Sequence, residues 1–412
     1  MLQLGTIKLK KVFDTPTKLE HGDVSIIIPE IYLNVITIWL MGERSNTQLM
    51  LLLAICQILY IFCTMGINTI YTREFYFGTL LRFRFRAIEL GFIIGWLLLL
   101  FLGYLRRPYY MTLFFIIFSD KALESLAKCF EQEVLRQNKR SKAIPYAIYR
   151  LILPLIIYTL VLLVSRNIIS AYLCLVLAKL PFVMIFDFYE VHRIKKIHWR
   201  YQPEMIGRLM ICSLSDFIPS LSYAVLLYFP RIVLGIIWGG TYLSRFQEYF
   251  ILAQVIFQLV FALIQSRFVT VSKVWEVSQE SERQKALVRF TLGVIVATFI
   301  SMVLLFGIGP SLLELLFRSS FGGILYWFAI ALGVRLLNIE LYFLLTLKEK
   351  KSLAIAIRLI CAIFIVIISL IYIPGSHNPL VYTAVIYTLG RVIEGSGLLL
   401  YMGILCYCSR VL

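Results

Sequence analysis

Apolar runs of about 20 residues alternate with short charged stretches along the whole chain, and a run of that length crosses the hydrocarbon core of a bilayer as a helix. A membrane β-strand would instead alternate apolar and polar residues over about ten positions. Twelve spans are predicted, at 24–41, 47–67, 87–105, 108–127, 144–164, 169–189, 207–229, 246–266, 290–309, 324–346, 353–373 and 380–405. The expected fold class is therefore all-α, a polytopic integral membrane protein whose helices satisfy their own backbone hydrogen bonds in lipid. The fourth run ends among Asp120, Lys121 and Glu124, and the seventh contains Asp216 and Pro219. The polar stretch 128–143 is expected to extend the fourth helix as an amphipathic surface segment.

Composition agrees with this pattern. Of 412 residues, 60% are hydrophobic and only 15% charged, whereas a soluble domain is about half apolar and a quarter charged. The net charge of +17 sits in short loops between apolar runs, which argues against a nucleic-acid partner. Lys8, Lys10 and Lys11 precede the first run and no small-residue cleavage site follows it, so that run is expected to remain as a span. The cysteines lie mostly within apolar runs and the four histidines are scattered, so no metal site is expected.

Lys and Arg in short loops mark the cytoplasmic face. One alternate set of loops holds 28 of the 40 basic residues and the other holds 7. This predicts an even number of spans with both termini in the cytoplasm. The chain divides near residue 200 into two parts of six spans, 1–200 and 201–412, each opening with a basic stretch. Internal duplication is common in transporters, with the substrate site between the repeats.

Ionisable residues inside spans are costly, so each is a functional hypothesis. Glu30, Lys179, Asp216, Arg335, Glu340, Arg358, Arg391 and Glu394 all fall there. Arg358 is near enough to one end to snorkel, and Arg391 and Glu394 share a helix face and could pair. Lys179 and Arg335 have no acid one turn away. They either line a cavity or pair across helices with Asp216, Asp187 or Glu340. The excess of cations at depth favours an anionic ligand, for which arginine's planar fork suits phosphate. Trp39, Tyr109, Tyr110 and Trp238 fit an interfacial aromatic belt.

Residues 219–239 read PSLSYAVLLYFPRIVLGIIWG, and the next run contains EYFILAQVIFQLVFALIQSRFV. This pattern resembles the start of the second half of the polysaccharide flippases of the MOP exporter superfamily, the Wzx-like O-antigen and capsular repeat-unit transporters. Arg231, Leu234 and Gly235 match the end of the family's helix, and Tyr249 with Ala253 match the next one. Pro230 stands where the family often has Asp, which weakens the case for an ion pair there. Gly66 followed by TREF at 72–75 resembles the inner end of the family's second span.

The resemblance implies two six-helix bundles around a V-shaped, alternately open cavity in the bacterial cytoplasmic membrane. It implies a flippase for a polyprenyl-diphosphate-linked oligosaccharide, working beside other polysaccharide-assembly membrane proteins. Arg231, Lys179, Arg335 and Arg391 would form the cationic lining, while Asp216, Glu30 and Glu340 would couple ions or protons. No cofactor or covalent chemistry is implied, and no P-loop is present. Two other readings stand beside it. A membrane polymerase or polyprenyl-phosphate-dependent glycosyltransferase would usually carry a large outer loop or an acidic motif, where this chain has only GERSNT. A multidrug exporter of the same superfamily would have to move organic cations past a cationic lining.

Overall fold

The structure, a computed structural model, describes residues 22–66, 76–104, 107–136, 140–193, 201–277, 279–317, 323–347 and 351–411. The basic stretches at 1–21 and 194–200 and the TREF segment lie outside them. The described residues are helical almost throughout. The helices are α1 Gly22–Met41, α2 Glu43–Thr64, α3 Phe77–Phe101, α4 Pro108–Arg136, α5 Arg140–Ser165 and α6 Ile168–Pro181. A π-helical turn, Phe182–Asp187, continues α6 into α7 Phe188–His192. The second half holds α8 Glu204–Ile237, α9 Gly240–Val277, α10 Glu280–Gly307, the short α11 Gly309–Phe317, α12 Ile324–Leu347, α13 Lys351–Tyr372 and α14 Pro379–Val411.

Counting α6, the π turn and α7 as one rod, the described residues hold twelve long helices, where twelve spans were expected. Among the described residues eight are long and apolar enough to cross a membrane by themselves. α1 and α5 carry shorter apolar stretches, Pro29–Met41 and Tyr149–Ser165. This is a multi-pass membrane protein.

The differences from expectation have clear causes. α3 begins at Phe77, ten residues before the expected 87, because Arg82, Arg84 and Arg86 are good helix formers that hydropathy discounts. Arg84 is buried and donates to the Thr64 carbonyl at 2.8 Å, serving a carbonyl at the C-terminal end of α2 that has no partner within the helix. α4 extends through the first part of 128–143, to Arg136, and α5 takes up the chain from Arg140, but the extension is not a surface segment. Lys128, Cys129, Phe130, Glu133 and Val134 are buried, and the Phe130 ring meets Phe77 and Phe188. α8 passes through Pro219 and Pro230 without a break.

α2 is the hub. One side packs on α3 and α4, the other on α8 and α9 of the second half. At one end Gly66 has φ +65°, and a Cβ there would lie 2.6 Å from the Ser213 carbonyl oxygen, so only glycine lets α2 and α8 approach this closely. At the other end Thr47 donates to the Gly240 carbonyl at 2.9 Å. Trp39 donates its indole N–H to the Leu316 carbonyl, joining α1 to α11. The two parts of the chain thus touch at both ends of α2.

Candidate functional site

Three arginines converge in the second half. Arg335 comes from α12, Arg358 from α13 and Arg391 from α14, and all three guanidinium groups lie over one ring, that of Tyr223 on α8, at 5.2, 5.7 and 4.9 Å from its centroid. Arg335 also stacks on Phe257 at 3.4 Å. It donates to Gln254 Oε1 at 2.6 Å and to the Tyr223 hydroxyl. The expected Arg391–Glu394 pair is present at 3.2 Å. Arg358 does not snorkel: its Nε meets Glu394 Oε1 at 2.6 Å, because a buried carboxylate offers more than a distant interface. Asn338 on α12 donates to the Arg391 carbonyl at 2.8 Å and to Glu394 Oε2 at 3.4 Å. Gly395 permits this, since a Cβ there would strike the Asn338 side-chain oxygen.

Among the described residues Glu394 is the one carboxylate in this cluster, and Arg335 has no acidic partner. Three guanidiniums against one carboxylate leave the cluster with two net positive charges. Arg335 and Arg391 are 3% and 1% exposed, so water screens them little. Aromatic faces recover some of the desolvation cost, about 2 kcal/mol for a desolvated cation–π contact, but they do not neutralise charge. The Nε of Arg335 and the Nε and one Nη of Arg391 have no hydrogen-bond partner among the described residues. What this arrangement can do chemically is hold an anion.

The first half is different. Lys179 on α6 reaches Asp120 Oδ1 of α4 at 2.5 Å, with Glu124 at 3.8 Å. It pairs across helices, but with none of the three acids expected. Arg150 on α5 holds Asp187 Oδ2 at 2.5 Å and Glu131 Oε2 at 3.1 Å. Lys121 lies within electrostatic reach of Asp120, Glu30 and Glu124. Acids here are at least as numerous as bases.

Between the halves stands Arg231 on α8. It meets Glu30 Oε1 of α1 at 3.0 Å and donates to Gln247 Oε1 at 2.8 Å. Its guanidinium lies 4.2 Å from the Tyr228 centroid and 4.8 Å from that of Phe250. The acid missing at Pro230 is thus supplied by another helix. Gln57 donates to the second oxygen of Glu30 at 3.3 Å. A narrow cavity opens beside this pair, lined by Glu30, Ile31, Tyr228, Gln247, Phe250, Ile251 and Gln254. Gln254 touches both this cavity and Arg335.

The structure therefore brings Arg335 and Arg391 into one cluster and Arg231 and Glu30 into another. It leaves Lys179 in its own acid network. Asp216 is half-buried on α8 beside Gly66, and Glu340 is buried on α12 with Thr291 as a hydrogen-bond partner. Sequence reasoning passed over Tyr223, Gln247 and Gln254, and met Asp120 only as a charge at the end of the fourth run. One signal was present for two of them: Gln247, Gln254, Gln258 and Gln265 fall on one face of the helix, and between 249 and 265 its other residues are apolar.

No family model matches the sequence, and no curated protein matches it. Solved structures do match the fold. The inward closed conformation of the lipid II flippase MurJ is 13% identical, with a TM-score of 0.68, over 93% of this chain and 86% of that one. The eukaryotic MATE transporter AtDTX14 is 13% identical, with a TM-score of 0.63, over 92% and 93%. A MOP superfamily transporter from Pyrococcus furiosus is 11% identical, with a TM-score of 0.59, over 92% and 94%. The chain has the fold of MOP superfamily transporters.

Proposed function

We propose that this protein moves a polyprenyl-diphosphate-linked oligosaccharide across the bacterial cytoplasmic membrane by alternating access between two six-helix bundles, 1–200 and 201–412. The observation that carries this reading is the arginine cluster on Tyr223. A buried, doubly positive site is costly to maintain, and an anion of matching charge is what compensates it. A diphosphate diester brings two negative charges, and arginine forks bind its oxygens with charge-assisted hydrogen bonds. The same charge disfavours organic cations. That charge separates this reading from multidrug export, with which the fold is equally compatible. Arg231 stands beside the cluster, each being met by a glutamine of α9, while Lys179 stays within its acid network in the first half, and Glu30, Asp216 and Glu340 are the acids available to couple ions or protons.

The test is reconstitution. Purified protein in proteoliposomes is expected to translocate a polyprenyl-diphosphate-linked sugar without lengthening it. Arg335→Gln is the informative variant, because it orphans no carboxylate. It is expected to lower apparent affinity about 10- to 100-fold, the loss of one charge-assisted hydrogen-bonding group of about 1.5–3 kcal/mol. Full transport by Arg335→Gln and Arg391→Gln would remove the cluster from the substrate path, and elongation of the glycan would indicate a polymerase.

A further inference from the structure

One turn of the first half is wound differently from its neighbours. α6 ends at Pro181, the π turn Phe182–Asp187 follows, and α7 continues the rod. Such turns are rare and tend to occur at functional sites. The cause of this one is register. Lys179, Val183, Asp187 and Val191 are all buried, each four residues after the last. Met184, Ile185, Phe188 and Tyr189 between them are exposed. The run from Lys179 to Val191 thus returns to one face with one residue more than the roughly eleven that three α-helical turns take. The π turn absorbs that extra residue.

The same residues wound as an α-helix, at about 100° per residue, would present a different face. Asp187 would lie about 80° round from Lys179, and Val191 about 120°. Glu190 would come within about 20° of the face that Asp187 and Val191 now share with Lys179. The π form is held by a charged pair at its last residue. Arg150 of α5 meets Asp187 Oδ2 at 2.5 Å and Glu131 Oε2 of α4 at 3.1 Å. Rewinding takes Asp187 away from Arg150 and offers Glu190, one turn further on, in its place. Arg150 is buried, so a form that left it short of acid would be costly, and neither form does. α7 is only five residues long, so little packing opposes its rotation.

We infer that this turn is a conformational switch with two acids competing for one arginine. With Asp187 on Arg150 the turn is π-helical, as here. With Glu190 on Arg150 it rewinds to an α-helix and α7 rotates by about 100°, the angle of one residue. α7 ends the first half, and the chain runs from it through 194–200 to α8, so the rotation reaches the link between the halves. Coupling of the switch to alternating access rests on the function proposed above; the switch itself rests on the register and the two acids.

Deletion of Met184 separates the switch from a tolerated insertion. It removes the extra residue from the exposed side, and Asp187 and Val191 then fall within about 20° of Lys179 on an unbroken α-helix. The variant is expected to fold, to keep its Arg150–Asp187 pair and to be unable to switch. Spin labels on ketone-bearing amino acids in place of Tyr149 of α5 and Tyr189 of α7, both exposed, read the rotation. In nanodiscs full-length wild type is expected to show two distances differing by roughly 5 Å, the sweep of a side chain on a helix about 10 Å across. The deletion variant is expected to show one. Glu190→Gln is expected to fold as wild type does and to reduce the second population at least about tenfold, through loss of a charge-assisted hydrogen bond. In proteoliposomes the deletion variant is expected to lose transport of a polyprenyl-diphosphate-linked sugar. A single distance in wild type overturns the switch. So do two distances or full transport in the deletion variant, and so do wild-type populations in Glu190→Gln. If the deletion variant does not fold, the Glu190→Gln populations decide alone. Two distances in a wild type that transports nothing keep the switch and overturn the flippase reading.

Discussion

The two halves of the molecule bury ionisable residues in opposite ways. In the first half Lys179 and Arg150 are each held by two acids, Asp120 with Glu124 and Asp187 with Glu131. In the second half Arg358 and Arg391 share Glu394, and among the described residues Arg335 beside them has no acidic partner. A closed network of pairs is a structural solution to desolvation, whereas a cluster with surplus charge is completed only by something from outside. The difference teaches where to look for the substrate: where the internal account of charge fails to balance, rather than wherever a charge is buried.

The sharpest way to break this comparison is to remove the key carboxylate from each half. Asp120→Asn and Glu394→Gln are each expected to destabilise by about 3–5 kcal/mol, the effect of orphaning a buried charge. The two should then part company. Pyrophosphate or a polyprenyl diphosphate is expected to raise the melting temperature of Glu394→Gln more than that of wild type, by linkage to binding, and to leave Asp120→Asn unimproved. Equal rescue of both in a thermal shift assay would erase the distinction.

A smaller effect is expected from Arg335→Gln, which should weaken headgroup binding as described while changing unfolding free energy by less than about 1 kcal/mol, since no acid loses its partner. A large loss of stability would make Arg335 a structural residue. Smallest of all is the effect of replacing a whole pair. Asp120→Leu combined with Lys179→Met should lie within about 1 kcal/mol of wild type, because well-packed apolar replacements of buried ion pairs are often neutral. Transport lost in a stable double variant would show that the first-half network also does functional work.

Much of the fold was legible in the chain. Apolar runs of spanning length located the helices, and the Arg391–Glu394 pair followed from a separation of three residues, which puts both on one helix face. The other partners were not legible, because proximity came from helix packing. Asp120 and Lys179 are 59 positions apart, and Glu30 and Arg231 are 201 apart. Tyr223 carried no signal, since a tyrosine in an apolar run reads as ordinary core. Arg358 was misplaced because its distance from the helix end was visible and the nearby Glu394 was not.

By itself, then, the sequence determined that the chain is helical and membrane-spanning, with cations at depth. Lipid demands long apolar helices, and that demand is met residue by residue along the chain. Only the tertiary structure decided which cations are neutralised and which converge uncompensated on Tyr223. Electrostatic energy depends on distances of a few ångströms, and between residues on different helices those distances are set by packing alone.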